Sequence, residues 1–257
     1  MNFILQVALA GLGLLLGIIA VYQLGSRLAQ RLPAGDKDSG GSAAESAVFA
    51  LLGLLLSFTF FGAASRLEDR RHLITQEAND IGTAWLRLDM LPAAAQPELR
   101  QLFRDYTSAR VAAFENMADV AATQAANDRV QQLQQRIWDA AVVAVRLPDA
   151  PTQAAMLVLP ALNAMIDITT TRSVAAETHP PLVIYYMLAA FSLLAAGLAG
   201  YSTRTRDARY WLNVMLFAIV VSTTLVVILD LEYPRRGLIR VDAADHVLLD
   251  VRRSMDR

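Results

Sequence analysis

SAVFALLGLLLSFTFFGAAS, residues 46–65, contains no Asp, Glu, Lys or Arg, and a helix of that length crosses a hydrocarbon core of about 30 Å. The residues that follow, RLEDRRHLITQEANDIGTAWLRLDMLP (66–92), are charged, yet Leu67, Ile74, Ile81 and Leu88 recur seven apart, with Ala78 and Trp85 on the adjoining edge. That spacing marks one face of a helix. No breaker separates Ser65 from Leu88, so a single helix is expected to leave the membrane and run on to the stop at Pro92.

Outward from this stretch, three further charge-free apolar runs of spanning length lie at 3–24, 182–203 and 210–229. The first has no basic residue before it and exceeds the core of a secretory signal, which reads as a retained span. Residues 25–45 and 202–209 are short polar hinges, so the spans pair as two membrane hairpins, 1–65 and 180–230, with a tail at 231–257. Residues 66–179 carry 11 Arg and 14 Asp plus Glu, a charge density that hydrocarbon does not accommodate. They form a helical extramembrane domain extending the second span, and the expected fold class is an all-α membrane protein with four transmembrane helices. Within that domain Pro97 opens a helix with Leu99, Leu102, Phe103, Tyr106, Ala113, Phe114 and Met117 inward, and Val130, Leu133, Ile137, Ala141 and Ala144 mark the next. A last helix, 152–177, is expected to be interrupted or kinked at Pro160. In the tail, Leu238 to Val241 has the pattern of a short extended piece.

Composition narrows the function. The chain has 257 residues, 55% of them hydrophobic, a mean hydropathy of +0.36, 18% charged residues and a net charge of -1. No basic block suits nucleic acid. The absence of cysteine excludes disulfides, thiolate nucleophiles, iron-sulfur clusters and cysteine-held zinc. His72, His179 and His246 are far apart and read as surface residues, and no His-Glu-x-x-His, Gly-x-Ser-x-Gly or phosphate loop occurs. No catalytic set, metal site or cofactor is therefore expected, and the chain does not read as an enzyme. The spans hold no ionisable side chain, which disfavours proton-coupled transport. Their polar groups are of the kind of Ser57, Thr59, Ser192, Asn213, Ser222, Thr223 and Thr224. Gly13 with Gly17, Gly53 with Ser57, and Ala196 with Gly200 are small-residue pairs that let helices approach closely, and Gly11 joins them as a packing residue.

Two stretches carry a resemblance. One is Glu77-Ala78-Asn79-Asp80-Ile81-Gly82, closed by Leu91-Pro92 and followed by a Leu-Arg-x-Leu-x-x-Asp-Tyr pattern ending at Tyr106. The other is Leu229-Asp230-Leu231-Glu232-Tyr233-Pro234-Arg235-Arg236-Gly237-Leu238-Ile239-Arg240-Val241. With two spans, a helical insert and two more spans, the chain resembles the bestrophin-like domain family of bacterial membrane proteins. That family's signature usually reads Asp-Arg-Pro-Phe before the glycine, where this chain has Glu232-Tyr233-Pro234-Arg235, so Asp230, Glu232, Pro234 and Gly237 are the signature positions retained here. The resemblance implies a bacterial inner membrane location and, through the layout shared with bestrophins, a pentameric channel for small inorganic anions.

On that reading the partners are the lipid bilayer, further copies of the chain and small anions. The resemblance places an aromatic neck on the second span, where Phe58, Phe60 and Phe61 stand, with Ser57 and Thr59 as polar pore or packing residues. An apolar ring of this kind gates by expelling water, although each phenylalanine taken singly is equally read as lipid-facing or packing. One subunit's four helices enclose too little space for an ion path, so conduction requires several copies about an axis. The stripe through Leu67 to Leu88 is expected to face a neighbouring copy or the Phe103 and Phe114 helix of the same chain. Asp230 and Glu232 are too few to hold calcium, and are read as a polar anchor or as ion-pair partners of Arg235, Arg236 or Arg240. Arg252 and Arg253 can meet anionic headgroups or water. Arg27, Arg31, Lys37, Arg204, Arg206 and Arg209 favour the hinges inside, against Arg66, Arg70, Arg71, Arg235, Arg236 and Arg240 on the other side. The rival function is a non-conducting scaffold whose helical domain binds a partner protein.

Overall fold

A computed structural model describes residues 3–31, 39–115, 120–203, 208–234, 237–239 and 242–256. Met117, Arg235, Arg236, Arg240 and Val241 lie outside them, as does the side chain of Phe114. The described elements are helices: α1 (Phe3–Arg31), α2 (Ser39–Arg87), a 3-10 turn (Leu88–Met90), α3 (Gln96–Glu115), α4 (Val120–Ala144), α5 (Ala154–Glu177), α6 (Leu182–Ser202), α7 (Ala208–Glu232) and α8 (Asp242–Ser254). The protein is an all-α membrane protein. Among the described residues four stretches are long and apolar enough to cross a membrane: Phe3–Arg31, Ala43–Met90, Ala154–Ser202, which comprises α5 and α6, and Trp211–Glu232.

The chain divides into two compact units. The first contains Met1–Leu67 and His179–Arg240. Here α1 packs on both α6 and α7. Between helices in lipid the hydrophobic effect offers little, and close approach of backbones supplies the attraction. A Cβ added at Gly200 would strike the backbone of Tyr22, and one at Gly25 the carbonyl of Gly197, so glycine is required where α1 crosses α6. Higher up, a Cβ at Gly11 would meet Val226 of α7. Of the expected small-residue pairs, Gly13 and Gly53 have nothing within 4 Å of an added Cβ. Gly200 of the expected Ala196 and Gly200 pair does lie in the tight crossing, and Gly25 joins it from just beyond the expected end of the first span at 24. Ile18, Tyr22, Ala196, Val214, Ala218 and Val221 fill the core of this unit. An edge-on contact of Phe49 with Phe217, centroids 5.2 Å apart, adds α2 to it.

The second unit contains Glu68–Thr178 and Val241–Arg257. Its core joins Ile81, Leu88, Leu99, Phe103, Tyr106, Leu133, Ile137, Leu162 and Met165. The Leu67, Ile74, Ile81, Leu88 stripe is buried within the chain. It is therefore not a surface for self-association, and Ile81 and Leu88 share a core with Phe103. At the end of α2 the Arg87 guanidinium donates to the Leu157 carbonyl at 2.7 Å, and the Gln96 amide to the Leu91 carbonyl at 2.8 Å. These hydrogen bonds close the turn around Pro92.

Two expectations are corrected. Of the expected interruption or kink, the interruption does not occur: helix α5 runs continuously through Pro160. A proline inside a helix costs about 3 kcal/mol, and burial of Ala154, Val158, Ala161, Leu162 and Met165 on either side holds the helix together across it. Of the expected extended piece, Leu238 and Ile239 form bends rather than a strand and Arg240 and Val241 lie outside the described residues, while beyond it the tail forms a helix, α8, which buries Leu248 and Met255 in the second unit. Arg104 donates to the Met255 carbonyl through Nε and Nη2, at 3.2 and 3.1 Å. Arg252 donates to Ser108 Oγ at 2.9 Å and to Asp256 at 2.8 Å.

Candidate functional site

Helix α2 is 49 residues long and presents two opposite faces. One is buried at Leu52, Ala63, Leu67, Ile74, Glu77, Ala78, Ile81, Ala84 and Leu88. The other is exposed in this chain at Ala47, Leu51, Leu54, Phe58, Phe61, Ser65, Glu68, His72, Thr75 and Asn79. These ten positions follow one another in alternating steps of four and three, with further exposed residues such as Ala50, Gly53, Ser57, Phe60, Asp69, Arg71 and Gln76 to either side of them. That is the heptad spacing by which a helix keeps one seam directed at a common axis. The seam is apolar as far as Phe61 and polar from Ser65 onward.

The candidate constriction residues separate on this geometry. Phe58 and Phe61 are 66% and 72% exposed and three positions apart, and so share the seam. Phe60, 42% exposed, sits two positions from Phe58 and faces elsewhere. Ser57 is exposed beside the seam. The Thr59 hydroxyl donates to the Leu55 carbonyl at 2.7 Å, so it is satisfied inside its own helix. Ser192 and Thr224 do the same with Leu188 and Val220.

The signature after α7 builds a folded corner in the first unit. Both oxygens of Asp230 accept backbone N–H groups, from Leu238 and Ile239, each at 2.8 Å. The carboxylate thus supplies acceptors for a chain segment that has no helix to provide them. Gly237 lies against that carboxylate, where an added Cβ would collide with Oδ1. Glu232 is fully buried and receives the Arg66 guanidinium of α2 on Oε1, with Nε at 2.9 Å and Nη2 closer. Room for that guanidinium comes from Gly62, one turn earlier, whose missing Cβ would sit 3.2 Å from Arg66 Nη1. His179 Nδ1 lies 3.6 Å from Glu232 Oε2, and its ring stacks on Tyr233 at 4.4 Å. The partner of Glu232 is thus Arg66, 166 residues away, while the expected partners Arg235, Arg236 and Arg240 fall outside the described residues. His179 is not the plain surface histidine that sequence suggests. Pro234 is buried.

In the second unit the Glu77 motif forms an enclosed charged centre that sequence did not single out as ionic. Glu77 is fully buried and accepts Arg110 of α3 on both oxygens, the Nη2 bond being 3.0 Å. It also pairs with Arg172 of α5. Burial raises the pKa of Glu77, but the hydrogen bond and charge of Arg110 and the charge and hydrogen bond of Arg172 outweigh it and hold the carboxyl below its ordinary value of 4.5. Burial also works against the charge of Arg110, and the Glu77 hydrogen bond restores it. Asp80, one turn on, is shifted the opposite way, upward, by burial and by the charge of Glu77. The Tyr106 hydroxyl reaches the Met165 carbonyl at 3.5 Å, and burial raises its pKa. The motif residues Glu77 and Tyr106 are therefore parts of one polar core. Among the described residues no three His, Cys, Asp or Glu side chains gather as a metal site.

No curated protein and no solved structure matches the chain. A family model described as the bestrophin-like domain matches residues 14–245, which takes in α2, the Glu77 centre and the Asp230 corner together. The chain belongs to the bestrophin-like domain family.

Proposed function

We propose that the protein is a homo-oligomeric ion channel whose axis is lined by the exposed seam of α2. The observation that carries this reading is the heptad continuity of that seam from Ala47 to Asn79 on one uninterrupted helix. Exposure of Leu51, Leu54 and Phe58 alone fits a lipid-facing helix. Lipid gives no reason for the same face to continue, in the same register, into Ser65, Glu68, His72, Thr75 and Asn79, all of them exposed polar residues. A water-filled path that narrows at an apolar ring and widens into a polar vestibule does. Family membership supports the reading only through the layout shared with bestrophins, by which analogy the conducted ions are small anions and five copies surround the axis.

Phe58 and Phe61 are then the constriction, and Phe60 is not. An apolar ring a few ångströms wide blocks ions by expelling water. Removing the ring side chain admits water, so Phe58→Ala and Phe61→Ala raise conductance in planar bilayers, while Phe60→Ala leaves it close to wild type. If none of these proteins conducts while all remain folded oligomers of defined mass in mild detergent, the scaffold function takes the channel's place. If the mass is that of a monomer, the axis itself is lost.

A further inference from the structure

We propose that a cavity in the first unit binds a small organic cation, an ammonium group carrying an apolar body, with Glu45 as its counter-charge. Binding there requires no conduction, since the cavity lies within one chain.

The cavity holds about 340 Å³ and is lined by residues of α1, α2, α6 and α7. Ligand pockets begin at about 300 Å³, so the space suits one compact molecule rather than a whole lipid. The rings of Tyr22, Phe49 and Phe217 line it, together with Ala199 and Val214. Phe49 and Phe217 pack edge-on against each other, and Tyr22 and Val214 are buried. This wall therefore stands without a ligand. Apart from the Tyr22 phenol, polar groups reach the lining from Glu45, Thr203 and Asn213. The Thr203 hydroxyl donates to the Ala199 carbonyl at 2.8 Å and is satisfied there. The Glu45 carboxylate is half-buried, and among the described residues no arginine or lysine pairs with it or lines the cavity.

This set of groups selects the chemistry of the occupant. An anion would meet a carboxylate and no cation. Calcium takes about six to eight oxygens, more than a wall made largely of rings supplies. A phospholipid headgroup brings a phosphate for which no described cation stands here. A neutral apolar molecule would strip water from Glu45 and give it no partner, which costs free energy. An ammonium group pairs with that carboxylate, while the rings take up its apolar body and attract its charge over their faces. Glu45 immediately precedes the charge-free run 46–65, and Thr203 caps the end of α6. The cavity thus sits at the hinge end of the spans, where a charged solute need not enter the hydrocarbon core to reach it.

The test titrates the full-length protein in mild detergent with benzyltrimethylammonium chloride, followed by calorimetry against empty micelles. Wild type is expected to bind it saturably. Glu45→Gln is expected to weaken binding roughly tenfold, and Ala199→Leu, which fills the cavity, to abolish it. Glu68→Gln on the exposed seam is expected to leave it unchanged, and neither benzyl alcohol nor phenylacetate is expected to compete. Absence of wild-type binding overturns the inference. So does binding that Glu45→Gln fails to move, or that benzyl alcohol displaces. Should thermal unfolding show that Ala199→Leu does not fold, the isosteric Glu45→Gln decides alone. Wild-type binding lost in nanodiscs of phosphatidylethanolamine but kept in those of phosphatidylglycerol gives the cavity to a lipid ammonium, and overturns its assignment to a free cation.

Discussion

The two faces of α2 differ in what holds their residues in place. On the buried face, Leu67, Ile74, Ile81 and Leu88 are each enclosed by helices of the same chain, and Glu77 is tied to α3 and α5 by ionic hydrogen bonds. On the exposed face, the side chains of the seam from Ala47 to Asn79 are at most partly covered by the chain. A substitution on the first face is felt as stability. One on the second is felt only by whatever the protein does, so the exposed face can be altered as a probe of function without disturbing the fold.

The sharpest test of that contrast is Glu77→Gln. Removing one member of a buried ion pair costs about 3–5 kcal/mol, because Arg110 and Arg172 keep their charges without the carboxylate. Thermal unfolding followed by near-ultraviolet circular dichroism in detergent is expected to show a transition lowered accordingly. The same residue sets a pH dependence. Its folded pKa lies below the ordinary 4.5, so its contribution is present above that value and is lost as pH falls through the lower folded one. Wild type is expected to lose stability over that acid window, and Glu77→Gln to lack this part of the loss. A wild-type profile flat through the window breaks the account of the centre.

Ile81→Ala follows, expected to cost about 2–5 kcal/mol through the cavity it leaves at a fully enclosed site. The smallest effect belongs to the other face. Phe58→Ala and Phe61→Ala are expected to move stability by no more than about 0.5 kcal/mol, although both remove a large ring. A cost comparable to that of Ile81→Ala would mean that an oligomer interface encloses these rings tightly, and the contrast would then belong to the isolated chain only.

The four apolar helices, the continuation of α2 and the stop at Pro92 were legible because each is a local pattern: a charge-free run, a seven-residue recurrence, a missing N–H. The partners of the buried charges were not. Arg110 and Arg172 stand 33 and 95 residues from Glu77, and Arg66 stands 166 from Glu232. No periodicity encodes a pairing across such separations. Helix α8 was missed although Val247, Leu248, Val251 and Met255 repeat at helical spacing, because the run is short and follows an irregular segment. Pro160 misled for the converse reason, since a local rule was overridden by packing on both sides. Phe60 was grouped with Phe58 and Phe61 by proximity in sequence, where the turn of the helix sets it apart.

The second unit is closed by α8, which the chain reaches only after both helices of the second hairpin. A nascent chain made from its N-terminus therefore exposes the seat of Leu248 and Met255 throughout the synthesis of α6 and α7. The unit cannot reach its final stability until that hairpin has emerged, which makes its folding a late event with a high sequence separation between the contacts that complete it. Quality control that recognises exposed apolar surface would thus read failure to make the last hairpin as failure to fold the second unit.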